Sequence, residues 1–136
     1  MNPLLIVWVT MATLTWSSVR ASNASNTVPD RVPVMIGGER NLDACGATAL
    51  VTGLQPVDGN LLAVRSGPGL HYSRINSLAP GARVWLCDHK GRWLGVVYSP
   101  SGEDCGVASP SAARRRYSGP CISGWVRDRY LTLEAG

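Results

Sequence analysis

The sequence predicts an all-β domain, and three observations lead there. It holds 15 glycines and 9 prolines and no phenylalanine in 136 residues, a composition of turns rather than long helices. Beyond an apolar N-terminal block, no segment keeps a helical period. Instead, short β-prone runs alternate with turn signals, which reads as about five short strands. The length leaves room for one modest domain.

The chain begins with an uncharged apolar block, residues 3–16, followed by the small-x-small pattern Val19-Arg20-Ala21, with Ser22-Asn23-Ala24 as a second cut site. The block is shorter than the roughly 20 residues of a membrane span, so residues 1–21 are expected to be a cleaved secretory signal. No Lys or Arg precedes it, and an uncleaved anchor is the alternative. No cysteine stands at the cut, which speaks against a lipoprotein. Residues 22–43 are rich in Ser, Asn, Pro and Gly and are expected to be linker. Within them, Val32-Pro33-Val34-Met35-Ile36 is apolar enough to dock as an edge or extended segment.

The domain is expected to span residues 44–134. Ala47–Thr52 is the first strand, ended by Gly53 and Pro56. The turn Asp58-Gly59-Asn60 leads into Leu61–Val64, which breaks into Arg65 and the stiff turn Ser66-Gly67-Pro68-Gly69. Leu70–Ile75 crosses to Asn76-Ser77-Leu78, and Ala79-Pro80-Gly81 turns again. Arg83–Asp88 and Trp93–Ser99 are the stronger strands. In the second, Leu94, Val96 and Tyr98 share one face, with Trp93, Gly95 and Val97 on the other. Gly95 between apolar neighbours suggests a bend. Residues 100–120 form a long polar insertion. Ser123–Val126, a tight turn at Arg127–Tyr130 and Leu131–Leu133 close the domain.

Removing the signal takes away Arg20 and no acid, which lowers the net charge from +4 to +3. That is mild, and falls short of a nucleic-acid-binding signature. The four cysteines, Cys45, Cys87, Cys105 and Cys121, all follow the signal. An even count in an exported chain reads as two disulfides, and the absence of a C-x-x-C pair argues against zinc. Three pairings are possible. The 16-residue separation of Cys105 and Cys121 favours that bridge, leaving Cys45 with Cys87.

Several landmarks then combine: Leu62-Ala63-Val64-Arg65-Ser66-Gly67-Pro68-Gly69, Leu78-Ala79-Pro80-Gly81, Gly91-Arg92-Trp93-Leu94, Gly124-Trp125-Val126 and Tyr130-Leu131. In order and spacing they resemble the bacterial SH3-like (SH3b) domain family, over about Cys45 to Leu133. The chain departs from that pattern at Ala63, where the family has Asn, in the expanded loop before Gly124, and in its cysteines. The resemblance implies a small SH3-like open barrel that recognises cell-wall material or peptides, here with a disulfide-clipped insertion.

It also implies an aromatic groove. Trp93 stands where SH3 domains carry their central tryptophan, Tyr130 where they carry a groove tyrosine, and Tyr72 in the loop that forms the opposite wall. Arg127 stands where they carry a groove proline, a departure from proline-rich recognition. From the residues themselves, alternation with Val126 points Trp125 outward and makes it a candidate for ligand contact. Arg65 reads either as a donor to the carboxylates of a stem peptide or as an anchor for carbonyls of its own loop. Arg114-Arg115-Arg116 reads as a solvated loop face or as a contact for an anionic surface. His71 and His89 lack metal-ligand spacing and are expected at the surface.

No H-E-x-x-H, G-x-S-x-G or P-loop is present, and the acids are scattered on turns, so no catalysis, metal or cofactor is expected. The expectation is a periplasmic or secreted binding module whose partner is cell-wall peptide or an envelope protein. No stable membrane insertion is expected after signal cleavage. A structural or regulatory envelope protein that binds its partner through residues 100–120 is the alternative.

Overall fold

The computed structural model describes residues 11–19 and 30–135. Apart from residues 11–19, which carry no regular structure, the expected signal and the first part of the expected linker lie outside the described residues. The described fold is all-β, with antiparallel sheets and two disulfides.

Among the described residues, eleven strands take the place of the expected five or so. They are β1 (Met35–Ile36), β2 (Glu39–Asp43), β3 (Ala47–Val51), β4 (Leu62–Arg65), β5 (Arg74–Leu78), β6 (Arg83–Lys90), β7 (Trp93–Tyr98), β8 (Pro110–Ser111), β9 (Arg115–Arg116), β10 (Ile122–Arg127) and β11 (Leu131–Ala135). Seven of them form the main sheet, in the order β11-β3-β6-β7-β10-β4-β5. Its edge strands do not pair with each other, so the sheet is not a closed barrel. Single 3-10 turns at Pro56–Asp58 and Asp128–Tyr130 stand where the turn residues predict turns.

The sheet buries both faces. On one face, Val51, Leu62, Val64, Val84, Val96 and Val126 form the first core, with Leu94, Leu131 and Tyr130 packed against it. The predicted alternation in β7 holds, because Leu94, Val96 and Tyr98 contribute here while Trp93 and Val97 face the other way. Tyr98 is buried, with no hydrogen-bond partner for its hydroxyl. Burial pushes its phenol up to about 12, opposed in part by the Asn76 side chain. Removing an unsatisfied buried hydroxyl relieves a desolvation cost, so Tyr98→Phe is expected to stabilise the domain by about 1 kcal/mol. A raised urea midpoint at unchanged slope checks this, and a lowered midpoint refutes it. The sign for pH follows from the raised value. Burial favours the protonated phenol, so this group leaves stability independent of pH below 10 and lowers it as pH rises towards 12. The pH-dependent part is expected to vanish in Tyr98→Phe.

The second core corrects the expected linker. From Arg31 onward, the chain lies across the other face of the sheet. Val34 and Ile36 are buried there with Cys45, Val97, Val107 and Trp125. The expected 22–43 linker therefore does not extend over residues 31–43, because the apolar run Val32–Ile36 has a sheet face to cover. The 100–120 insertion covers it too. β1 pairs with β9 and β2 pairs with β8, which makes two small ribbons from segments far apart in sequence. Main-chain bonds from Tyr117 to Val34, from Ala44 to Ser109 and from Cys45 to Val107 extend that pairing.

Two disulfides and one carboxylate fasten this cap. Cys45–Cys87 joins the residue before Gly46 to the irregularity in β6 between Leu86 and Asp88, and Cys105–Cys121 closes the insertion on itself. Both pairings are the expected ones, Cys105–Cys121 from its spacing and Cys45–Cys87 by elimination. The Asp88 side chain is 5% exposed. It accepts the Met35 N–H at 3.0 Å, its neighbour's N–H at 2.8 Å and the Arg114 guanidinium at 3.1 Å. Asp88→Asn replaces one acceptor oxygen with a donor and removes the charge, at an expected cost of about 1.5–3 kcal/mol. Faster amide exchange at Met35 and Tyr117 than elsewhere in the sheet is the expected signature. Uniform exchange would show that Asp88 does not hold the cap.

Gly95 stands opposite the irregularity in β6, where a bend is expected, and it also has a packing role. A side chain there would meet the Cβ of Asp88 and the side chains of Val34 and Trp125. Its bare backbone lets the cap approach the sheet.

Candidate functional site

The structure brings three of the predicted site residues together. Trp93 opens β7 and Arg127 ends β10, and the two are paired across the strands. The Arg127 guanidinium lies over the Trp93 ring, 5.6 Å from its centroid. The turn at Asp128–Tyr130 carries Tyr130 to the same place, and β4 supplies Arg65. Together they line a cavity of about 210 Å³, walled on its apolar side by Leu54, Leu61 and Leu70. Its size suits one or two side chains rather than a large ligand.

A second, shallower hollow of about 250 Å³ adjoins it and shares Asp58, Arg129 and Tyr130. Tyr130 thus forms the ridge between two depressions. Its hydroxyl donates to Asp58 at 3.2 Å and accepts from Arg129 at 2.7 Å. The Arg129 guanidinium also lies 4.7 Å from the ring centroid. These contacts fix the ring and leave it little conformational freedom.

Two predicted residues are elsewhere. Trp125 is fully buried, so it is not a groove residue. Alternation assigns its face correctly, since it lies opposite Val126, but the cap covers that face. The Trp125 indole N–H donates to the Val32 carbonyl at 2.8 Å. Tyr72 does not line the cavity. Its ring packs against Gly67, where any side chain would collide with it. Arg65 anchors its own loop, as one of its two expected readings has it, by donating to the Tyr72 carbonyl at 2.9 Å, and it also lines the cavity.

Sequence reading missed Arg74 and Arg129 as groove residues, along with Asp58 and the leucines. Arg74 begins β5 and Arg129 lies in the closing turn, so only the fold sets them beside Arg65 and Arg127. Among the described residues the ion pairs are Arg83–Glu134 and Arg114–Asp88, so none of these four arginines has a carboxylate partner. With Asp58 the only acid lining the cavity, the groove is strongly basic.

A larger cavity, about 500 Å³, lies between the N-terminal segment and the insertion. Two of its polar side chains are spent on the fold. Arg31 donates to the Ser123 carbonyl, while the Tyr117 hydroxyl donates to the Cys105 carbonyl and accepts from Cys121. A hollow of about 390 Å³ beside Cys87 contains the Asp88–Arg114 pair. We therefore place the candidate site at the smaller groove, where aromatic surface converges with four arginines that have no carboxylate partner among the described residues.

All four cysteines are paired. Among the described residues, no group of three or more His, Cys, Asp or Glu gathers as a metal site, and no helix is long and apolar enough to cross a membrane. Comparison with protein-family models, curated proteins and solved structures finds no match for this chain.

Proposed function

We propose that this protein is an exported, non-catalytic binding module of the SH3-like kind, which holds cell-wall peptide in the groove between Trp93 and Tyr130. One observation carries the reading: Trp93, Tyr130 and Arg65, chosen from sequence landmarks, line a single cavity although they lie on three separate elements. The two disulfides indicate an oxidising, extracytoplasmic compartment, which is where such a ligand is met. An envelope protein presenting a similar peptide would suit the same groove. The insertion favours neither reading, since Tyr117 is bonded within the cap and the exposed surface mixes Arg115 and Arg116 with Glu103 and Asp104.

Sedimentation with purified bacterial sacculi tests the proposal. The exported chain is expected to pellet with them, and Tyr130→Ala is expected to weaken that binding at least tenfold while the urea midpoint shows a folded domain. Trp93 is a poorer probe, because it is 8% exposed and also belongs to the second core. Unchanged pelleting of a folded Tyr130→Ala protein would remove the groove from the proposal.

A further inference from the structure

We propose that the groove selects its peptide by a carboxylate seated beside an aliphatic side chain, with Arg65, Arg74, Arg127 and Arg129 reading the charge. This rests on the assignment of the groove as the wall-peptide site and adds the chemical feature it recognises.

The argument begins with the guanidinium donors. Each guanidinium carries five N–H donors in a planar fork that matches a carboxylate. Arg65 commits one nitrogen to the Tyr72 carbonyl, Arg74 one to Ser77 at 2.7 Å, and Arg129 one to the Tyr130 hydroxyl. These bonds orient the side chains and leave donors unspent. Arg127 makes no hydrogen bond among the described residues, and stands against the face of Trp93.

Four like charges around one small cavity repel one another, with Asp58 as their only acidic neighbour in its lining. Asp58 is itself engaged by the Tyr130 hydroxyl and the Gln55 N–H, and is not within ion-pair distance of any of the four. An incoming carboxylate relieves that repulsion. A proline-rich segment does not.

The apolar wall decides between anions. Leu61 is 42% exposed and Leu70 is 74% exposed, both beside the cavity. A phosphate polymer or a sulfated glycan has nothing to bury against them. A peptide with an aliphatic residue next to an acidic one buries the first on the leucines and pairs the second with the arginines. The adjoining hollow beyond Tyr130 provides room for the chain to continue.

The experiment compares native sacculi with sacculi whose carboxyl groups have been converted to amides, and the soluble probe N-acetyl-Leu-Glu with its diamide, N-acetyl-Leu-Gln-amide. Amidation is expected to weaken binding at least tenfold in both pairs. Arg127→Gln is expected to weaken binding of the acid forms by a similar factor, with Arg115→Gln on the distant insertion as the unchanged control. Equal binding of native and amidated sacculi overturns carboxylate selection and leaves the wall-peptide reading standing. Binding of the acidic dipeptide but of neither form of sacculi supports carboxylate selection and removes the wall. Binding of no probe at millimolar concentration overturns both. Displacement by inorganic phosphate as effective as by the dipeptide, or an equal loss in Arg115→Gln, overturns the assignment to a peptide carboxylate at this site.

Discussion

Trp125→Ala is expected to cost the domain about 3–5 kcal/mol, the range for truncating a fully buried large aromatic residue. The Val32 carbonyl also loses its indole donor, which adds about 1 kcal/mol. Against a typical domain stability of about 5–15 kcal/mol, that leaves a marginal fold. The damage has a place as well as a size, because Trp125 fills the space between the sheet and the segment Val32–Ile36. Urea unfolding with the disulfides intact measures the loss, and amide exchange at Val34 and Tyr117 locates it. Trp125→Phe keeps most of the volume without the donor and is expected to fall between the two. A cost below about 1 kcal/mol for the alanine variant is incompatible with the described burial.

Removing the Cys45–Cys87 bridge is the second large effect. It spans 42 residues, against 16 for Cys105–Cys121. On the chain-entropy account, these closures are worth about 4 and about 3 kcal/mol. Burial widens the gap, because Cys45 is 1% exposed within the second core. The double variant Cys45→Ala with Cys87→Ala is therefore expected to have the lower urea midpoint. Cys105→Ala with Cys121→Ala is expected to loosen the insertion while the seven-stranded sheet persists. The opposite order of midpoints would show that the ordering of the insertion, and not closure of the longer loop, dominates.

The main sheet was largely legible because its strands carry local signals. The alternation in Trp93–Tyr98, the turn Ser66–Gly69 and the glycine-punctuated runs each state their own conformation within a few residues. β2, β8 and β9 were not legible for the same reason. The docking of Val32–Ile36 as an edge or extended segment was legible from its apolar run, but its partner Arg115–Arg116 has no strand pattern of its own and becomes a strand only by pairing with Met35–Ile36. The insertion looked structureless because its pairing partner lies some eighty residues upstream in the chain, within the expected linker.

The same division runs through the site. Trp93 and Tyr130 were legible from landmarks around them, and Arg65 from its place before a stiff turn. Arg74 and Arg129 gave no signal, since a lone arginine in a strand or turn looks like any solvated charge. Trp125 shows the limit most clearly. Its face followed from a period of two, but whether that face meets water depends on what folds over it.

The sequence by itself determined the all-β class, the order of the strands along the main sheet's chain segments, both disulfide preferences and one aromatic pair of the groove. These are properties of neighbouring residues, written in turn chemistry, alternation and spacing. The tertiary structure decided that the N-terminal segment is cap rather than linker, that Trp125 is core rather than contact, and that four arginines surround one cavity. Each of these depends on surfaces brought together from distant parts of the chain, where burial and charge density are set by three-dimensional neighbours that no local pattern specifies.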